Sequence, residues 1–470
     1  MSIDAGAAPV AARAARDAEA IFRAGLARVE PAAMVRQALR VEGGPRGEVL
    51  VVGTELESHR YELADFDRIL VAGFGKAGAS MARGLEEALG GRVSGGVVAV
   101  KKGHLDRLAR IRLVEASHPV PDASSVAAAR GILDLARGLD ERTLVLVLIS
   151  GGGSALLCAP AEGIGLEDKA ETTRLLLSSG ATIQEVNCVR KHLSAVKGGR
   201  LAAALAPATI VSLILSDVIG DELDAIASGP TVPDPTTWAD ALSVVRRRGI
   251  EAALPPAAAA LLRRGAEGRR AGSAGDALRD TPKPGDPAFA RARNVLIGTN
   301  RLALMAAEAK ARELGYSTLA LTSRLCGEAR EAAIFLHGLG CDIAASGFPL
   351  ARPACVLAGG ETTVTLRGKG RGGRNQEMAL AFLAAMERAP ALAGRLAFLA
   401  ASTDGSDGPT DAAGAFATAG LLGRARAEGL DPLAYLADND SYGFFDRIGG
   451  LLRTGPTNTN VCDLQVLLVP

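Results

Sequence analysis

A rhythm of short apolar runs, each ending in glycine and followed by helical periodicity, most restricts what this chain can become. Ile69 to Ala72 leads into Gly73, Leu144 to Ile149 into Gly151, and Val356 to Ala358 into Gly359. Runs of about four to eight apolar residues closed by glycine are the pattern of buried parallel strands entering βα turns. Further strands are expected at Val97 to Val100, Ile111 to Val114, Ile210 to Leu215, Asn294 to Ile297, Leu396 to Leu399 and Leu464 to Leu468. Helices are expected at 76 to 89, 124 to 138, 167 to 179, 300 to 314, 327 to 345 and 373 to 387, and the Ala- and Arg-rich residues 9 to 40 read as one or two amphipathic helices. The alternation predicts a doubly wound α/β fold. From Leu254 to Arg293 the periodicity lapses into Pro, Gly, Ala and Arg, which marks a boundary or a surface insertion. The expected division is therefore residues 1 to 285, with a loop-rich segment about 254 to 285, and residues 286 to 470.

Charge then narrows the functions open to such a fold. With 53 basic and 52 acidic residues the net charge is +1, so no overall field draws nucleic acid or an anionic membrane, and any basic site is local. Aromatic residues are 3% of the chain, too few for the stacking platforms of single-strand binders. The six cysteines show neither Cys-x-x-Cys pairs nor zinc-site spacing, which predicts free thiols in a reducing cytoplasm. No run of about 18 apolar residues and no signal-peptide pattern occurs. The partners expected are small molecules, with no nucleic acid and no membrane.

Two glycine motifs carry the chemistry. Gly73-Phe74-Gly75-Lys76-Ala77-Gly78 fits the dinucleotide pattern G-x-G-x-x-G, yet the next strand ends in Lys101-Lys102 rather than in the acidic residue that holds a ribose hydroxyl. Those lysines suit an NADP 2′-phosphate, which keeps a dehydrogenase reading open. Lys76 suits something else: an ammonium beside backbone N–H groups at a helix start favours a phosphoryl group or a carboxylate. Ser150-Gly151-Gly152-Gly153-Ser154, after the most apolar strand, offers a nest of N–H donors to phosphate oxygens. No Walker A sequence occurs, which excludes a P-loop kinase.

Four cations, Arg190, Lys191, Lys197 and Arg200, fall within eleven residues, and Lys197 beside Gly198 is the strongest ligand candidate among them. Ser216-Asp217 closes a buried strand where doubly wound sheets keep their ligands, so Asp217 is a candidate to hold Mg²⁺ or to accept a hydroxyl proton. Arg374 opens a helix together with Asn375 and Glu377, a poor match to the helix dipole that an anionic ligand would repair. Asp404 and Asp407 lie in a loop that resembles a hard-cation site without the EF-hand spacing.

Taken together, these segments resemble the glycerate 2-kinase family with a MOFRL-type C-terminal domain, some members of which carry the label hydroxypyruvate reductase. The resemblance rests on Gly73 to Ala77, Ser117 to Asp122, Ser150 to Ala155, Val189 to Ser194, Lys197 to Arg200, Ser216 to Val218 and Ser228 to Thr231. Gly359 to Thr362, Gly373 to Glu377, Ser402 to Pro409 and Thr454 to Val461 continue it in the same order to the C-terminus. It implies a large Rossmann-like N-terminal domain, a smaller α/β C-terminal domain and an active site in the cleft between them. The implied reaction is ATP- and Mg²⁺-dependent phosphorylation of D-glycerate at its 2-hydroxyl, by a monomer or homodimer, with the family's catalytic lysine at Lys76 and its essential arginine at Arg374. Gly75, Gly151, Gly152, Gly153, Ser154, Arg190, Lys197, Gly198, Ser216, Asn375 and Glu377 are the expected substrate and nucleotide contacts, with Asp217, Asp404 and Asp407 as metal ligands. Transfer to the 3-hydroxyl, an NADP-dependent hydroxypyruvate reductase and a non-enzymatic sugar-acid sensor are the alternatives.

Overall fold

The structure is a computed structural model that describes residues 7 to 54, 57 to 268 and 278 to 470. The chain forms two compact units: a first made of Pro31–Ser216 and Asp221–Ile297, and a second that combines residues through Glu30 with Asp217–Gly220 and Gly298–Pro470. The 285/286 division expected from sequence therefore falls short of the first unit's last strand and overlooks the N-terminal helix Ala7–Arg28, which belongs to the second unit.

In the first unit, β1 (Leu39–Gly44), β2 (Gly47–Gly53) and β3 (Ser58–Glu62) form an antiparallel meander. The main sheet comprises β4 (Arg68–Phe74), β5 (Val93–Lys101), β6 (Ile111–Ala116), β7 (Thr143–Ile149), β8 (Thr209–Leu215) and β9 (Ala292–Gly298), in the order β6-β5-β4-β7-β8-β9. Strands β4 to β8 pair in parallel. β7 and β8 are buried along their whole length, which is why they read as unbroken apolar runs. The chain builds outward from β4 through β5 to β6, then returns to lay β7 on the other side of β4. This reversal makes the carboxyl ends of β4 and β7 a topological switch point, the place where such sheets bind ligands.

Four helices, Leu166–Ser178, Ile183–His192, Trp238–Arg247 and Pro256–Gly268, share a second core around Leu176, Val186, Val189, Trp238, Val245 and Leu262. The helix Pro256–Gly268 corrects the loop expected from residue 254 onward. Pro256 stands at its start, where proline costs nothing, and Ala258, Leu261, Leu262 and Gly265 form its buried face. Of the rest of that expected segment, residues 269 to 277 lie outside the described residues, and 278 to 285 form no helix or strand.

The second unit's sheet comprises β10 (Ser317–Leu325), β11 (Ala354–Gly360), β12 (Ala397–Ser402), β13 (Gly414–Thr418), β14 (Leu451–Leu452) and β15 (Asp463–Val469), ordered β10-β11-β15-β12-β13-β14. Only β10 and β11 pair in parallel; β15 runs antiparallel to both β11 and β12. The doubly wound parallel expectation thus holds for the first sheet and not for the second. Continuous burial of β11, β12 and β15 mimics a parallel strand in sequence, because burial on both faces, not strand direction, sets that pattern. The helix Arg374–Arg388 is buried from Asn375 through Met386, and Phe382 stacks on Phe398 of β12 at 4.5 Å. That packing fixes where the helix begins.

Candidate active site

The switch point in the first unit is built from the two glycine turns. Lys76 N–H donates to the Gly151 carbonyl at 2.9 Å, Ala77 N–H to Ser150 Oγ at 3.1 Å, and Ser150 N–H to the Phe74 carbonyl at 3.2 Å, so the turns after β4 and β7 are stitched together. Gly75 has φ +135°, and a Cβ there would lie 2.1 Å from Ser150 Oγ. A Cβ at Gly152, at φ +78°, would sit 2.9 Å from the His118 ring and 3.1 Å from Cγ of Lys76. Only glycine admits both the backbone turn and the approach of these two side chains. Lys76 precedes the helix Gly78–Leu89 and makes no ion pair among the described residues. Burial, then the charges of Lys76 and Lys101, push the His118 imidazole down to about 4. At neutral pH it is uncharged and keeps a nitrogen lone pair.

Beside the triple-glycine turn lie Lys197 and Ser154. Lys197, 1% exposed, donates from Nζ to Ser154 Oγ at 3.1 Å and to the Ala227 carbonyl at 3.4 Å, while Ser154 Oγ lies 2.8 Å from Ser228 Oγ. Burial and the neighbouring charges of Arg190 and Lys169 lower the Lys197 pKa well below that of an ordinary lysine. Lys191 meets different surroundings: its ammonium pairs with Asp224 at 3.1 Å and with buried Asp234 at 3.4 Å. His192, also buried, bonds Asp280 at 3.0 Å and the Cys188 carbonyl at 2.8 Å. Lys191 and His192 are thus tied into the fold. Gly198 N–H donates to the Ser228 carbonyl at 3.0 Å, and Ser216 is buried at the end of β8.

In the second unit, Arg374 forms a fork on Asp463, with Nε to Oδ2 at 2.5 Å and Nη2 to Oδ1 at 2.8 Å, and reaches Glu361 through Nη1 at 2.9 Å. Burial opposes its charge, but Asp463 and Glu361 outweigh that and hold the guanidinium firmly protonated. The dipole mismatch expected to call for an anionic ligand is therefore answered by carboxylates of the same unit. Burial raises the Glu361 pKa; Arg374 opposes the rise and the charges of Asp463, Asp217 and Asp404 add to it. Asp217 accepts through its carbonyl from Cys462 Sγ at 3.2 Å.

Two of the expected ligands have other duties. Asp407 caps the central helix, accepting from Gln376 N–H at 2.8 Å, Asn375 N–H at 3.1 Å, Gln376 Nε2 at 3.0 Å and Asn375 Nδ2 at 3.2 Å. Burial, with the charge of Asp463, pushes it up to about 6 against those bonds. With its oxygens taken by the helix, Asp407 is a cap rather than a metal ligand, and Asn375 is its partner. Glu377 is buried and pairs with Arg330 at 2.8 Å and Asn439 at 3.0 Å, a structural ion pair instead of a ligand contact. Asp404 accepts from Ser402 Oγ at 3.0 Å and Ser406 N–H at 2.9 Å. No group of three His, Cys, Asp or Glu side chains among the described residues is arranged to hold a metal. Such a cage is not what Mg²⁺ requires beside phosphates, where one or two carboxylates and waters suffice. Asp217 and Asp404, whose charges already crowd Glu361, offer oxygens of that kind. No short motif marks Lys169 or Asp463, and Glu361, though inside the segment Gly359 to Thr362, is not singled out by its spacing; packing brings them to these sites.

A switch point that joins two glycine turns beside Lys76, which has no counterion among the described residues, is the arrangement that suits an anionic small molecule. The comparisons narrow that class. Residues 17 to 263 match a domain of unknown function, DUF4147, and residues 354 to 463 match the MOFRL family. A putative hydroxypyruvate reductase of Agrobacterium vitis is 44% identical over 404 residues, covering 86% of this chain and 87% of that protein. The D-glycerate 2-kinase of Thermotoga maritima is 41% identical over 406 residues, covering 86% and 91%. The crystal structure of a glycerate kinase from Thermotoga maritima superposes with a TM-score of 0.82 at 38% identity, covering 97% of this chain and 99% of that one. The chain belongs to the glycerate 2-kinase family. No described helix is long and apolar enough to cross a membrane.

Proposed function

We propose that the protein is a kinase that transfers the γ-phosphoryl of ATP to the 2-hydroxyl of D-glycerate, giving 2-phosphoglycerate and ADP. The observation that carries this reading is Lys76, a cation without a counterion among the described residues, set against Gly152 where the turns after β4 and β7 meet. Phosphoryl transfer asks a protein mainly for positioning and charge neutralisation, and this turn offers both. Gly151, Gly152 and Gly153 present N–H donors to ATP phosphates, with Ser154 and Lys197 beside them. Lys76 neutralises charge that builds up on the transferring group. Arg374 is proposed as a second catalytic cation whose reach is set by Asp463 and Glu361. Asp217 orients the acceptor hydroxyl and, with Asp404, would hold Mg²⁺. When bound, the metal supplies neutralisation of phosphate charge.

The deciding assay mixes the protein with D-glycerate and ATP and couples the product to enolase without phosphoglycerate mutase. Phosphoenolpyruvate is expected. ADP without phosphoenolpyruvate would move the transfer to the 3-hydroxyl, and NADPH oxidation on hydroxypyruvate without ADP formation would replace the kinase by a reductase. Activity should vanish with EDTA and return with Mg²⁺; undiminished turnover after exhaustive chelation removes the metal from the reading.

A further inference from the structure

One group of cations in the first unit has no carboxylate counterion among the described residues. Lys169 stands on the helix Leu166–Ser178 and is 5% exposed, and its ammonium has no hydrogen-bond partner among the described residues. Arg190 lies in the last turn of the helix Ile183–His192, and Lys197 follows that helix, held by Ser154. The pairing of Pro160 with Ser194, with Ala195 N–H on the Ala159 carbonyl at 2.9 Å, draws the two segments together. The three cations are close enough to act on one another: Arg190 lowers the pKa of Lys169, and both lower that of Lys197. Among the described residues, the one acidic group acting on all three is the Cys158 thiol.

Scarcity of carboxylates does not explain this. Lys191, the residue after Arg190, is equally buried and receives Asp224 and Asp234. A buried ammonium without a hydrogen bond is among the costlier things a fold can hold. Its retention points to a ligand that supplies the missing charge, and the half-buried Arg190 and Ser154 give the group an open side.

We infer that Lys169, Arg190 and Lys197, with the hydroxyl of Ser154, form a seat for a phosphate group. A carboxylate would bring one negative charge to three cations, whereas a phosphate brings nearly two and three strong acceptor oxygens. Assigning that phosphate to a nucleotide rests on the kinase reading; the seat itself does not. A nucleotide tail and a free phosphate share the chemistry, and the choice of probe separates them.

The test is titration calorimetry of the full chain with ATP, pyrophosphate, inorganic phosphate and D-glycerate, on wild type, Lys169→Met and Arg190→Gln. It is run at about pH 8, near the value to which burial lowers Lys169, in two buffers of different ionisation enthalpy. Wild type is expected to bind pyrophosphate and ATP with net proton uptake, because a seated anion raises the lysine pKa values. Either variant should weaken both ligands at least tenfold, and Lys169→Met should diminish the uptake, with glycerate affinity unchanged. If Lys169→Met fails to fold, Arg190→Gln carries the affinity test alone, its residue being half-buried. Unchanged pyrophosphate and ATP affinities in the folded variants overturn the seat, as does loss of glycerate binding in their place. Pyrophosphate binding that depends on Lys169 without any ATP binding keeps the seat and removes the nucleotide. Normal ATP binding and turnover in both variants keeps the kinase and removes the seat.

Discussion

Arg374 in the second unit and Lys169 in the first are both largely withdrawn from water, and the fold treats them in opposite ways. Arg374 is given a bidentate partner in Asp463 and a second carboxylate in Glu361, whereas Lys169 is given neither carboxylate nor hydrogen bond. A charge compensated within its own unit is part of the scaffold even when it also serves chemistry. A charge left uncompensated is a standing cost, tolerated for what it binds. The two sites should therefore respond to the same kind of substitution with opposite signs.

The largest effect is expected at Arg374. Arg374→Met leaves fully buried Asp463 facing Glu361 without a cation, and should cost about 3 to 5 kcal/mol of stability, read from the urea midpoint. Asp463→Asn in the same chain should recover part of it. Lysine at 374 should rescue poorly, because a point charge does not replace a bidentate fork. Full stability in Arg374→Met with turnover lost would show that the arginine answers to substrate alone and would erase the contrast.

Lys76 sharpens the comparison from the other side, having no partner to orphan. Lys76→Met should lower kcat by on the order of 10² to 10³ with stability changed by less than about 1 kcal/mol. Near-normal kcat with a folding defect would make the glycine turn purely structural. At Lys169 the expected effect is a gain, smaller than the loss at Arg374: Lys169→Met should stabilise the ligand-free protein by on the order of 1 to 3 kcal/mol at neutral pH, since an apolar side chain replaces a desolvated charge. The pH dependence follows from the depressed pKa. From about 8 up to the ordinary 10.5 the unfolded chain holds a proton that the native lysine has released, so wild-type stability rises with pH across that window through this residue. The variant should lack that contribution. Equal slopes in the two proteins, measured by thermal unfolding in matched buffers, would mean that Lys169 is not desolvated.

What was legible in the sequence followed from patterns of short range. Strands β4 and β7 announce themselves by apolar runs closed with glycine, and Lys76 and the triple glycine by their place after those runs. Strand direction was not legible in the second unit, because β15 buried on both faces reads like a parallel strand. The helix Pro256–Gly268 was hidden by the prolines that begin it. Arg374 was found from its place at a helix start, but not the reason it tolerates that place, since Asp463 lies 89 residues away in the chain. Asp407 and Glu377 look like ligands in the sequence because a carboxylate in a polar motif reads the same whether it faces a substrate, a helix end or an arginine. Lys169 sits in an ordinary amphipathic helix, and only the packing around it reveals a missing counterion.

The position of β15 also sets an order of events. It is the last strand of its sheet to leave the ribosome, and it lies between β11 and β12. Until it emerges, β10 with β11 and β12 with β13 and β14 are two fragments with no edge in common. Asp463, the residue that receives Arg374, is the first of that strand. Translation thus supplies the middle of the sheet and the bidentate partner of the arginine together, after every other strand of that sheet. Without β15 the second unit would hold two separate sheet fragments, with Glu361 alone left to face Arg374.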